Sequence, residues 1–77
     1  SVFLHLGPDH GDIMRDIIWI KFLDPDLRNS LMNTYNFYIE ETNNWGDTFW
    51  GVCDGEGLNR LGIILMHLRK VIIANGN

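Results

Sequence analysis

Between Thr42 and Asn59 the chain abandons every regular pattern, and this stretch limits what the rest can build. Thr42-Asn43-Asn44-Trp45-Gly46-Asp47-Thr48-Phe49-Trp50-Gly51 holds two of the three tryptophans, and Asp54-Gly55-Glu56-Gly57 follows at once. Density in Gly, Asn and Asp marks a loop. Ordinary linkers, however, are not aromatic. Directly after it, Leu61, Ile64, Leu65, Leu68 and Ile72 step at helical spacing, the most regular apolar stripe in the chain. That helix carries Arg69 and Lys70 towards its C-terminal end and stops at Asn75-Gly76-Asn77.

The upstream half reads as helices and one strand. Gly7-Pro8-Asp9-His10-Gly11 is turn-rich and closes a lead-in in which no helix is expected. Asp12 is the expected N-cap of a helix to about Leu23, with Ile13 and Ile17 on one row and Met14, Ile18 and Phe22 on the next. Asp24-Pro25-Asp26 ends it and opens a second helix, Asp24 capping and Pro25 at the first position, running to near Thr34. Phe37-Tyr38-Ile39-Glu40-Glu41 alternates like a half-buried strand. The expected class is α+β, predominantly helical, with no internal repeat or second domain.

Composition narrows the function. With 77 residues the chain forms one small domain at most. Its apolar fraction of 45% is too high for a disordered tail. The apolar run Ile63-Ile64-Leu65-Met66 falls far short of a membrane span. Ser1-Val2-Phe3-Leu4-His5-Leu6 lacks the basic start and long apolar core of a signal peptide. One cysteine, Cys53, excludes an internal disulfide and favours a reducing, cytoplasmic setting; its expected role is a small buried hydrophobe. A net charge of -4 with only six Lys and Arg argues against non-specific nucleic-acid binding.

Familiar cofactor motifs fail on inspection. Gly57-Leu58-Asn59-Arg60-Leu61-Gly62 has P-loop glycine spacing, but Ile63 and Ile64 stand where the Lys and Ser/Thr are needed. Gly55-Glu56-Gly57 lacks the third glycine of a dinucleotide fingerprint and a strand before it. His5, His10, His67 and Cys53 are too scattered for a structural zinc site, so no metal and no cofactor is expected.

What remains is the aromatic loop. Trp45, Phe49 and Trp50 can offer flat faces to a base, and Asp47 lies among them with Glu41 upstream. A carboxylate beside an aromatic platform suits glycosidic cleavage, where positive charge develops on the sugar. The same residues also suit core anchoring, with Asp47 capping a turn. Gly57 to Asn59 opens the last helix, where backbone amides can hold an anion with Arg60 nearby; plain capping by Asn59 fits equally. Lys21 reads as a solvated residue at a helix end.

Taken together, Glu41, Asn43, Trp45, Asp47, Phe49, Trp50 and Gly51, then Gly55, Gly57, Asn59, Leu61, Gly62, Leu65, Met66 and Arg69, resemble the C-terminal half of the YbiA-like (NADAR) N-glycosidase family. Met14 and Lys21-Phe22 resemble the family's upstream helix, so the likeness spans about residues 12 to 72. It implies a YbiA-like fold truncated at the N-terminus, with residues 1–77 forming a single partial domain. The family's S-N-F-type segment and E-x-x-x-Q-x-x-K-type helix have no counterpart here, and the missing N-terminal half is an implied partner. The implied activity is hydrolysis of the N-glycosidic bond in a small phosphorylated ribosyl compound, such as a riboflavin-pathway ribosylamino intermediate, or in an ADP-ribosylated base. Asp47 would stabilise the oxocarbenium-like state and Glu41 would act as acid/base or hold ribose. Trp45, Phe49, Trp50 and Gly51 would receive the base and ribose, and Gly57 and Asn59 the phosphate. A reading of another class stays open: a module that holds ADP-ribose or a related nucleotide without cleaving it, or an inactive truncated fragment.

Overall fold

A computed structural model describes residues 10–76, in the order α1 (His10–Lys21), α2 (Pro25–Met32), β1 (Thr42–Asn43), β2 (Val52–Cys53) and α3 (Arg60–Ala74). The class is α+β, about half helical, with a single two-stranded sheet among the described residues. Of the lead-in expected to end in the turn Gly7 to Gly11, residues 1–9, His5 among them, lie outside those residues. None of the described helices is long and apolar enough to cross a membrane.

The apolar stripe of α3 forms the floor of the core. Leu65, Leu68 and Ile72 are buried with Leu31 of α2, and Ile18, Trp19 and Phe22 of α1 pack on them with Met32 and Ile39. Ile18 and Phe22 of the expected Met14–Ile18–Phe22 row therefore face inward, whereas Ile17 on the neighbouring row is exposed. α2 begins as its sequence dictates: Asp24 is extended, its carboxylate accepts from the Asp26 amide, and Pro25 occupies the first turn. The helical layer is thin. The radius of gyration is 13.3 Å, against roughly 11–12 Å for a well-rounded chain of this length. Among the described residues no side chain is completely buried, and Ile20, Leu23, Phe37, Trp45, Leu58 and Ile73 are exposed.

Two expectations need correction. α1 starts at His10, so the helix runs through Gly11 and Asp12 lies inside it rather than at its cap. Phe37 to Glu41 is not a strand. Phe37 and Tyr38 are both exposed, so the alternation fails, and the segment's partner is a side chain. The Asn59 amide accepts from Glu41 N at 2.9 Å and donates to Ile39 O at 2.9 Å, as an adjacent strand would. Ile39 N turns instead to Met66 Sδ, at 3.4 Å.

The real sheet is shorter and lies inside the loop. β1 and β2 run parallel, Thr42 opposite Val52 and Asn43 opposite Cys53. Parallel neighbours usually need a crossover of about a dozen residues or more. Here the link from Asn44 to Gly51 is shorter, and the Asn43 side chain closes it by donating to Asp47 O and Val52 O. Beyond β2, Cys53 and Glu56 exchange backbone bonds across Asp54-Gly55, both at positive φ, a tight turn of the kind favoured by Asp-Gly. Cys53 is half-buried and its thiol faces the Asp54 carboxylate at 3.8 Å, so it is a rim residue rather than a core one.

Gly62 marks where α3 meets the 39–41 segment. A Cβ there would run into Ile39 O and the Asn59 amide. In an open helix Gly→Ala stabilises by about 1 kcal/mol. At this position the sign is expected to reverse: Gly62→Ala should lower the urea midpoint, and an unchanged or raised midpoint would show that the 39–41 segment does not lie against α3.

Candidate functional site

Side chains of the loop hold its own backbone. Asn43 Oδ1 accepts from the amides of Trp45 and Asp47, at 3.3 and 3.0 Å, while its Nδ2 returns to Asp47 O at 2.8 Å. Asn43 thus brackets the peptide of Asp47 from both sides. Asp47 Oδ1 in turn accepts from Phe49 N at 3.0 Å and Trp50 N at 2.9 Å. Gly51 completes the turn, because a Cβ there would meet Glu41 O and the Asn43 amide. The Asn-Trp-Gly-Asp spacing therefore has a structural job: two polar side chains replace the regular hydrogen bonds that this backbone lacks.

The bracing aims the aromatics. Trp45 is 75% exposed and Phe49 44%, whereas Trp50 is half-buried and meets Phe49 edge-on with centroids 4.7 Å apart. The Arg60 guanidinium stands 4.9 Å over the Phe49 ring. Asp47 Oδ1 is committed to the two amides; Oδ2 has no such bond to a described residue. The result is one fixed carboxylate oxygen in a loop that carries two accessible rings.

The turn expected to grip phosphate is built differently. The amides of Leu58, Asn59, Arg60 and Leu61 donate to the carbonyls of Thr48, Gly51, Phe49 and Trp50, respectively. Those donors are spent in joining the loop to the start of α3, so the Leu58 and Asn59 amides are not free to hold an anion. Gly57 is required for contact: its φ is +149°, and a Cβ would strike Gly51 O. Asn59 stands at the cap position in the left-handed region, yet its side chain makes no cap bond. That side chain is 2% exposed and is used by Glu41, Ile39 and, at 3.1 Å, the Tyr38 hydroxyl. Asn59 is a positioning residue for Glu41.

Glu41 opens onto a different space. Together with Lys21, Ile18, Phe22, Leu27, Leu61 and Leu65 it lines a cavity of about 200 Å³ between α1, α2 and α3. Lys21, read from the sequence as merely solvated, is exposed and shares that rim with Glu41. Asn43 was visible in the motif without a role, since nothing local reveals that it grips the Asp47 peptide. Glu41 O accepts from Val52 N at 2.8 Å, which joins the carboxylate-bearing segment to the strand that supports the aromatic loop. In comparisons with family models, curated proteins and solved structures, none matches this chain.

Proposed function

We propose that this chain carries the base- and ribose-facing part of an N-glycosidase of YbiA-like (NADAR) type. The substrate is a small ribosylated compound, a ribosylamino intermediate of the riboflavin pathway or an ADP-ribosylated base. The observation that carries this reading is the Asp47 carboxylate pinned at one oxygen in a loop whose Trp45 and Phe49 rings are exposed. A base stacks on Trp45 or Phe49, and the fixed negative charge stabilises the sugar cation as the glycosidic bond lengthens. Glu41, at the rim shared with Lys21, is the second carboxylate, suited to moving a proton to or from water. Because the Leu58 and Asn59 amides are spent on loop carbonyls, phosphate is held elsewhere, by Arg60 or by the family's N-terminal half. The free thiol of Cys53 accords with a reducing, cytoplasmic setting.

A second reading, binding of ADP-ribose without cleavage, is favoured by the same commitments: Asp47 Oδ1 and the Asn59 amide serve the backbone first. Chromatographic assay of base release from a ribosylamino-pyrimidine phosphate and from ADP-ribosylated guanosine decides between them. Release by the chain, alone or with a family N-terminal half, supports the glycosidase. Heat on titration with ADP-ribose but no release supports the binder, and silence in both assays overturns both. Trp45→Ala should weaken ligand binding roughly 5- to 150-fold, the equivalent of one stacked base, while stability moves by less than about 0.5 kcal/mol because the ring is exposed. Unchanged affinity would remove Trp45 from the site.

A further inference from the structure

The far end of α3 holds a second cavity that the glycosidase reading does not use. It measures about 260 Å³ and is lined by Tyr35 and Asn36, in the turn after α2, and by Met66, Arg69, Lys70 and Ile73 of α3. Arg69 lies nine positions beyond Arg60, so this cavity sits about 13 Å along the helix from the aromatic loop.

Arg69 is the unusual group. It is only 7% exposed, and its one hydrogen bond to a described residue runs from Nη1 to the neutral Thr34 hydroxyl at 2.8 Å. Thr34 passes its own proton to Leu31 O, so its oxygen is free to accept and ties the guanidinium to the end of α2. Among the described residues no carboxylate lines the cavity, and the second charged group on its wall, Lys70, is also positive. Proximity to the helix C-terminus accounts for an exposed Lys70. It does not account for an arginine so nearly buried with no counter-charge beside it among the described residues, an arrangement that is costly unless an anion completes it. The guanidinium retains donors in a fork matched to two oxygens of one anion. The remaining wall is apolar or aromatic: Met66, Ile73 and the ring of Tyr35.

We propose that this cavity binds a small ligand through an oxyanion group, a phosphate ester or a carboxylate. Arg69 receives the oxyanion with its free edge, Lys70 adds the second charge, and the ligand's apolar body lies against Met66, Ile73 and Tyr35. The proposal stands independently of the glycosidase reading.

The test is titration of the ¹⁵N-labelled chain with phenyl phosphate, benzoate and inorganic phosphate at matched ionic strength, with chloride as the control. Saturable shifts at Tyr35, Asn36 and Lys70 with phenyl phosphate or benzoate are expected, and the tighter of the two identifies the source of the oxyanion. Arg69→Gln should abolish saturation, and Lys70→Gln should weaken it about 3- to 10-fold, while Lys21→Gln leaves it unchanged. Should Arg69→Gln fail to fold, Lys70→Gln against Lys21→Gln decides, since both positions are exposed. Shifts reproduced by chloride, or equal losses in the two lysine variants, would overturn the proposal, as would the absence of saturation with every probe.

Discussion

Asn59→Ala is expected to cost about 2–4 kcal/mol and to leave much of the chain unfolded at modest urea. Asn59 is 2% exposed, and its amide satisfies Glu41 N, Ile39 O and the Tyr38 hydroxyl at once. Truncation leaves a backbone donor and a backbone acceptor unpaired in partly buried positions, at about 1–3 kcal/mol each at full burial. Alanine also bears the penalty of the left-handed conformation, φ 54°, which asparagine tolerates better. A chain of 77 residues has total stability on the order of 4–12 kcal/mol, so this one side chain governs a large share. Urea unfolding followed by tryptophan emission should show the midpoint falling by about 2 M or more, given a slope near 1 kcal/mol/M. Asn59→Gly separates the causes, because glycine accepts the backbone angle but restores no hydrogen bond. If glycine returned wild-type stability, backbone conformation rather than the amide would be what Asn59 supplies, and the account of the 39–41 segment would fall.

That segment also shows where sequence reading stops. α2 and α3 were legible because their signals are local: Asp24-Pro25 sets one helix start, and the Leu61-to-Ile72 stripe sets one buried face. The strand expected at Phe37 to Glu41 failed because its partner is a side chain some twenty residues away, which no alternation pattern encodes. β1 and β2 are two residues each, too short to carry a period. Within the site, the aromatic loop was legible as an ordered element, since tryptophans among glycines and asparagines are out of place in a linker. That the amides of Leu58 and Asn59, within the Gly57 to Asn59 turn, are committed is not legible in the sequence, because their acceptors, the carbonyls of Thr48 and Gly51, come into range only after the loop folds back. Lys21 and Glu41 converge for a similar reason: α1 and the extended segment meet through the core, not through the sequence.

Asp47→Asn is the substitution expected to change activity most. Asparagine retains an oxygen able to accept from Phe49 N and Trp50 N, so the turn and the aim of both rings should survive. What disappears is the negative charge presented by the other oxygen. If that charge steadies the sugar cation, turnover in the hydrolytically active form should fall by about 10²–10³-fold or more, while affinity for ADP-ribose, an uncleaved ligand, changes little. Asp47→Ala offers the contrast. It removes the acceptor as well, leaves two amides unpaired and should cost about 1 kcal/mol of stability, as loss of a comparable cap does. A catalytic Asp47 predicts that the two variants are equally inactive but unequally stable. If Asp47→Asn kept near-native turnover and only Asp47→Ala lost it, the carboxylate would be a loop brace alone. Glu41, which lines the same cavity as Lys21, would then be the group to which the chemistry must be assigned.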